Sequence, residues 1–382
     1  MLDKAAIIGV GMTCIEANKV RDNFADMAWE AVNLALDDAG MTIEDIDNVV
    51  TTSNDFWDGR TISCMAVSDA SGASKKNVSC VEGDGTFGAF YGLTRILSGS
   101  YETTLVTAHS KGSESNSSLI TNAAFDPIYD RALGMDMLTA GALQATAYMH
   151  RTGTTPEQLA AVSVKNHKNA ALNPLAQLPM DISVKDVLES EMISDPLHKL
   201  DCSPVSDGCC AVIIAGEKKS GAFDQEPVWI KGVSFCSDAY YLGDRDISKA
   251  PALSQAAGKA YKMAGITDPA KEIDIAEVYD AFTYQELMWI EALGFCKDGQ
   301  AGALLEKGHF SIDGPLPVNA SGGLLSGHPV IAAGLIRIAE VVKQLRGQAG
   351  EYQIPGAERG IAQGVNGLCG QSHCVWVLDK NL

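Results

Sequence analysis

Basic side chains are scarce in this chain: 29 Lys and Arg stand against 48 Asp and Glu, a formal charge of −19. A field of that sign disfavours a phosphate backbone over any broad surface, so nucleic acid is not expected as a partner. Long hydrophobic runs are missing too. No window approaches the roughly 18 consecutive apolar residues that mark a membrane-spanning helix. Met1-Leu2-Asp3-Lys4 provides neither a basic flank nor a signal-type apolar core. A cytoplasmic protein without membrane contact is expected. The ten cysteines include no C-x2-C pair, and their spacings fit no zinc motif. Reduced thiols, most of them small buried hydrophobes, and no metal in this chain are therefore expected. Gly9-Val10-Gly11 lacks the third glycine of a dinucleotide fingerprint.

What is present is the composition of a folded, core-forming chain. Hydrophobic residues make up 46% and charged residues 20% of 382 positions, enough for two or three units at roughly 100 to 200 residues each. Residues 5–10 are a short apolar run of the kind a buried strand shows. Apolar positions over 24–35 recur at helical spacing, with Asp22 as the expected N-cap and Ala39-Gly40 as the close. An acidic turn and a β-rich run, 43–52, follow. The same order returns over 252–265 and 273–279. A second correspondence links Gly92-Leu93-Thr94-Arg95-Ile96-Leu97 with Gly334-Leu335-Ile336-Arg337-Ile338-Ala339, each in a helix after a strand beginning Val81-Glu82 or Val318-Asn319. An α/β chain of two tandem halves follows from this repetition. The expected units are 1–114 with 201–225, then 226–382, with 115–200 as a covering loop domain between them.

One segment concentrates the chemistry. Val318-Asn319-Ala320-Ser321-Gly322-Gly323-Leu324-Leu325-Ser326-Gly327-His328-Pro329 is dense in glycine, follows a strand and precedes a helix. Clustered backbone N–H groups beside an imidazole suit stabilisation of a developing oxyanion. N-x-S-G-G followed by G-H-P resembles the thiolase superfamily. The resemblance spans essentially the whole chain, through Ser203-Pro204-Val205-Ser206-Asp207-Gly208 and the tail Asn366-Gly367-Leu368-Cys369-Gly370. It implies an α/β thiolase fold, two βαβαβαββ halves in a five-layered αβαβα core. It also implies that His328 is catalytic, that Asn319 and Gly370 belong to oxyanion turns, and that Ser321, Gly322 and Gly323 contact coenzyme A.

The sequence departs from the family where a thiolase carries its acyl-accepting cysteine. The matching turn reads Val81-Glu82-Gly83-Asp84-Gly85-Thr86-Phe87-Gly88, which puts Gly85 at the nucleophile position and leaves Asp84 and Gly85 as turn residues. Cys80 lies five residues, roughly 16 Å of extended chain, further back and is expected in the core. In Glu277-Val278-Tyr279-Asp280-Ala281-Phe282, Tyr279 occupies the place that helps hold a water or thioester oxygen in the family. A phenol there can donate to an oxyanion or transfer a proton, while Asp280 orients the turn. Cys369 falls near the family's second cysteine and can act only if its neighbours lower its pKa. His373 is expected to be structural. Lys111, Lys165 and Lys168 are either contacts for the phosphates of CoA or solvated surface.

These motifs resemble a branch that works with a small zinc-ribbon/OB-fold subunit, implying a homodimer, a CoA thioester as substrate, and zinc in the partner. Three activities follow, in the order the motifs favour them. The first is a thiolase-type acyltransferase making or cleaving a C–C bond next to the thioester, the second a retro-aldolase acting on a β-hydroxyacyl-CoA, and the third a non-catalytic acyl-CoA-binding subunit.

Overall fold

The most continuous apolar run of the first half is buried on both faces, and this fixes the layering. In Asp207–Gly216, Cys209, Ala211, Ile213 and Ala215 pack into one core while Cys210, Val212 and Ile214 pack into another. The strand period of two sends neighbours to opposite faces, so both faces need cover. The computed structural model describes residues 4–220 and 226–382 and shows helices on both sides. The expected boundaries at residues 1 and 225 lie outside the described residues.

The first half runs β1 (Ala5–Met12), α1 (Phe24–Ala39), β2 (Asn48–Ser53), α2 (Asp55–Asp58), α3 (Ser63–Val67), β3 (Asn77–Glu82), α4 (Gly85–Leu97) and β4 (Thr103–Lys111). A long excursion carrying α5 (Met137–Thr152) and α6 (Pro156–Ala170) precedes its last strand, β5 (Asp207–Gly216). The second half runs β6 (Val228–Ser237), α7 (Pro251–Ala264), β7 (Ile275–Glu277), α8 (Thr283–Ala292), α9 (Ala333–Arg346), β8 (Arg359–Asn366) and β9 (Ser372–Asp379).

The strands form one hydrogen-bonded series, β3-β2-β4-β5-β1-β6-β9-β8-β7, and the halves mirror each other about the β1–β6 contact. Reading outwards, β1-β5-β4-β2 answers β6-β9-β8-β7. In each set the two outer strands pair in parallel and the rest antiparallel. The copies differ at the rim. β3 is a full strand, whereas Val318, read from sequence as the start of a strand, makes only an isolated parallel bridge to Ala276. The glycines that follow it turn the chain away before a ladder forms.

Helix α1 covers one face of the first half and α4 the other; α9 lies against α4 and the second half, whose far face α7 covers. The succession is αβαβα. Its middle layer is one core, in which Ala89, Leu93 and Ile96 meet Leu335, Ile338 and Val342. Local signals set the helix ends. The cap of α1 is Asn23, one residue later than Asp22: its Oδ1 accepts from the N–H groups of Ala25 and Asp26, and Asp26 reaches back to the Asn23 N–H. Gly40 closes α1 at φ 63°.

The two central helices begin almost nose to nose. Asp84 caps α4 by accepting from the Thr86 N–H at 2.9 Å, and its other oxygen accepts from the Gly334 N–H of α9 at 2.7 Å. A side chain at Gly334 would place its Cβ 2.0 Å from Asp84 Oδ1. Gly334→Ala is therefore expected to cost about 1–3 kcal/mol in chemical unfolding. Gly258→Ala, in α7 where nothing lies within 4 Å, should instead gain about 0.5–1 kcal/mol. Equal effects of the two substitutions would contradict the close helix approach.

Candidate active site

His328 is held from three directions by residues far apart in sequence. Its backbone N–H donates to Ser206 Oγ at 2.8 Å, its Nδ1 lies 2.9 Å from Ser203 Oγ, and its Nε2 lies 2.8 Å from Tyr279 Oη. Burial, with the Arg337 charge nearby, drives the imidazole down to about 3, so the ring is neutral. One nitrogen then carries hydrogen and the other accepts. With hydrogen on Nδ1, Ser203 accepts and Tyr279 donates to Nε2, forming a series Tyr279–His328–Ser203. Burial pushes the Tyr279 phenol well above its ordinary range, so it too is neutral at rest. The Tyr279 backbone is fixed as well, its N–H donating to Gln363 Oε1 and its carbonyl accepting from Trp289 Nε1, both at 2.8 Å.

Tyr279 and His328 line a cavity of about 320 Å³, together with Gly83, Asp84, Cys369 and Gly370. Its walls are largely apolar, with Phe56, Trp57, Ile120, Phe282 and Ile331 among them. A second cavity of about 290 Å³ shares Thr121 and Met137 with the first and reaches Ser203 and Cys202. The series of hydrogen bonds thus runs from one cavity to the other.

The other residues singled out from sequence are distributed unevenly. Gly85 lines neither cavity. Its N–H donates to the Ile331 carbonyl at 2.8 Å, and a Cβ there would lie 2.5 Å from Leu335 Cβ. Cys369 does line the first cavity, in a left-handed conformation at φ 50°, but burial pushes its thiol up to about 12. Gly370, at φ 62°, has no room for a side chain against Trp289 and His373. Gln363 holds His373 at Nδ1, 2.9 Å away.

Asn319, Ser321, Gly322 and Gly323 line neither cavity. Asn319, at φ 53°, accepts from the Val278 N–H and donates to Glu286. Ser321 donates to Glu277, which Arg337 also engages at 2.5 Å. Gly322 packs on Ala170 and Gly323 on Asp280. These residues build the floor beneath the turn that presents His328. Asp280 accepts from the Leu324 N–H and from Asn166; burial, then the Glu286 charge, raises its pKa.

Among the lysines weighed for phosphate contacts, Lys111 and Lys165 are buried and paired with Asp207 and Glu286, so neither is free to meet CoA; Lys168 is exposed. Cys80 is a correction too: it is exposed on the edge strand β3, which has no described strand beyond it to bury its outer side. Ser203 carried no assigned role in the sequence analysis. Its S-x-x-S spacing with Ser206 was visible, but only the packing of the segment before β5 against the 327–329 turn shows that both hydroxyls grip one histidine. Among the described residues no group of His, Cys, Asp or Glu is placed to hold a metal ion, and no helix is long and apolar enough to cross a membrane.

A duplicated αβαβα core with a histidine–tyrosine pair at the head of its central helices defines an enzyme-type α/β fold built on two fused halves. Residues 236–380 match the family described as thiolase C-terminal domain-like. The chain is 36% identical to an acetyl-CoA acetyltransferase of Methanothermobacter thermautotrophicus, covering 96% of this chain and 97% of that protein. It is also 36% identical to the benzoylsuccinyl-CoA thiolase subunit BbsB of Thauera aromatica, over 56% of this chain and 55% of that one. Among solved structures, an Ltp2–ChsH2(DUF35) aldolase superposes with a TM-score of 0.86 at 28% identity, covering 99% of this chain and 98% of that one. The chain belongs to the thiolase superfamily.

The thiols provide a direct check. Iodoacetamide at neutral pH should label exposed Cys14 and Cys80 first and reach Cys369 only after unfolding, because a buried thiol near 12 supplies almost no thiolate. Peptide mapping that finds Cys369 labelled early would return it to the list of nucleophiles.

Proposed function

We propose that this chain is a C–C lyase of the thiolase superfamily, cleaving a β-hydroxyacyl-CoA by a retro-aldol reaction. The observation that carries this reading is the Tyr279–His328–Ser203 series opening on a cavity beside a turn with no room for a nucleophile at Gly85. The order of the two enzymatic readings is thereby reversed from the one sequence alone favoured. A retro-Claisen step needs an acyl acceptor, and the one thiol lining this cavity is neutral. A retro-aldol step needs only a base and a place for the enolate.

The steps follow from the groups present. The β-hydroxyl of the substrate gives its proton to Tyr279 Oη as the phenol passes its own proton to His328 Nε2. The oxygen lone pair forms the new carbonyl, the bond between the α and β carbons breaks, and its electrons become the thioester enolate. The proton returns through Tyr279 to the α carbon, releasing a shortened acyl-CoA and a ketone or aldehyde. Ser203 holds the ring by accepting from Nδ1 and stabilises the transient imidazolium. The similarity to an aldolase whose description pairs Ltp2 with ChsH2(DUF35), and to a protein named as a thiolase subunit, supports a heteromeric assembly. For this chain we propose a homodimer joined by a small zinc-ribbon/OB-fold partner, which would help hold the CoA phosphates that buried Lys111 and Lys165 cannot reach.

Tyr279→Phe and His328→Ala should each lower turnover about 100-fold or more, with circular dichroism unchanged, whereas Cys369→Ala should stay within about threefold. Since the imidazole is already neutral above about 3, the pH profile should show no loss of rate from its protonation between about pH 7 and 5. The decisive measurement is mass spectrometry of protein and products after incubation with β-hydroxyacyl-CoA and β-ketoacyl-CoA panels. Shortened acyl-CoA plus carbonyl product with unmodified protein supports the lyase. A covalent acyl-enzyme would restore the acyltransferase, and tight binding of both panels without turnover would favour an acyl-CoA-binding subunit.

A further inference from the structure

The turn from Gly367 to Gly370 walls the first cavity in a conformation that needs support from outside itself. Gly367, Cys369 and Gly370 all have positive φ, at 80°, 50° and 62°, and Cys369 must accommodate a side chain there. The support is Arg245, in the segment between β6 and α7. Its Nη1 donates to the Leu368 carbonyl at 2.9 Å and its Nη2 to the Cys369 carbonyl at 2.6 Å. Gln144 on α5 adds a bond from Nε2 to the Cys369 carbonyl at 3.1 Å, and the Tyr284 hydroxyl, donating to Gln144 Oε1 at 2.9 Å, sets that amide's orientation.

The two gripped carbonyls belong to the peptide groups that carry the N–H of Cys369 and the N–H of Gly370. Both peptide bonds are trans, so each N–H points opposite to its carbonyl. Arg245 lines neither cavity, whereas Cys369 and Gly370 line the first. With the carbonyls turned to the guanidinium behind the wall, the N–H groups face the cavity. Among the described residues, neither stands in hydrogen-bond geometry to an acceptor. A cationic donor on each carbonyl also polarises the amide, which strengthens its N–H as a donor.

Arg245 itself is poorly compensated. Its side chain is 4% exposed, its one carboxylate contact among the described residues is Asp238 at 3.8 Å from Nε, and that Nε has no hydrogen-bond partner. A buried charge so placed is costly unless an anion forms near it. The resting thiol is not that anion, since Cys369 stays at about 12 despite the charge nearby. We infer that Arg245 is a positioning residue for the enolate: it sets and polarises the Cys369 and Gly370 N–H groups, which receive the thioester oxygen as that oxygen gains charge. The inference rests on the proposed site, in which a thioester enolate forms in the first cavity.

The test follows exchange of the α-hydrogens of saturating propionyl-CoA in D2O by mass spectrometry. Exchange reports enolate formation alone, whereas cleavage of β-hydroxyacyl-CoA by the wild-type chain reports the lyase reading, so either can fail without the other. Arg245→Met should slow exchange about 10- to 100-fold while propionyl-CoA affinity, measured by titration, stays within about threefold, because the donors act on developing charge and not on the resting thioester. Arg245→Lys supplies a single ammonium that lacks the planar fork, and its exchange rate should fall between those of Arg245→Met and wild type. A residue that only supports the fold would lower affinity and exchange together, and that result would overturn the inference. So would exchange within about threefold of wild type in Arg245→Met, or no exchange by the wild-type chain. Should Arg245→Met fail to fold, Arg245→Lys decides alone, and exchange at the wild-type rate overturns the inference.

Discussion

A single buried carboxylate holds the centre of this molecule together. Helices α4 and α9 point their N-termini at each other, and each brings backbone N–H groups with no partner inside its own helix. Asp84 serves both, from the strand side of α4, and the positive ends of two helix dipoles meet the negative charge there. Burial nevertheless raises the Asp84 pKa to about 6, even with three hydrogen-bond donors, the Thr86 N–H and hydroxyl and the Gly334 N–H, aimed at it. The arrangement dictates the small residues around it. Gly85, Gly334 and Gly364 would each drive a Cβ to within 2.5 Å of Leu335, Asp84 or Thr86. The same closeness that docks the two halves removes the space in which a cysteine at position 85 would work.

A second set of buried charges supports the histidine turn. Arg337 pairs with Glu277, Lys165 with Glu286, and Asn166 and Asn319 bridge Glu286 to Asp280 and the Val278 N–H. Such pairs gain little over apolar packing, but removing one partner leaves an uncompensated charge in low dielectric. Their value here is geometric. The turn from Asn319 to Pro329 has almost no regular structure, and its shape is imposed from below by carboxylates that accept from the N–H groups of Ser321 and Leu324. His328 emerges from this frame already oriented, before Ser203 and Ser206 seize it from the other half.

The repetition of strand, helix and strand was legible because periodicity and glycine punctuation are local properties. The same holds for Gly40 and Gly265 as helix ends. Within the site, His328, Asp84 and Cys369 stood out because each sits in a glycine-bearing turn, and Tyr279 because it follows a strand in a segment matched to the family. Partnership was not legible. Nothing in the sequence says that Lys165 is consumed by Glu286, that Ser203 meets a ring 125 residues away, or that Cys80 lies on an edge strand facing outward. Those facts depend on strand order and on which element covers which face, and a residue's spacing along the chain carries neither.

The way the site is buried also accounts for its chemistry. A thiolate would need a nearby positive charge or a free helix N-terminus, yet Asp84 already occupies the converging N-termini and Arg337 is paired with Glu277. With no stabiliser left for a resting anion, every group that reaches the cavity is neutral or hydrogen-bonded: the phenol is high, the imidazole low and the thiol high, all chiefly from burial. A relay of neutral groups moves a proton without holding charge at rest, and separates charge only while the substrate's own enolate forms. The retro-aldol step proposed above makes that demand, and Tyr279 and His328 touch at 2.8 Å where such a relay would act.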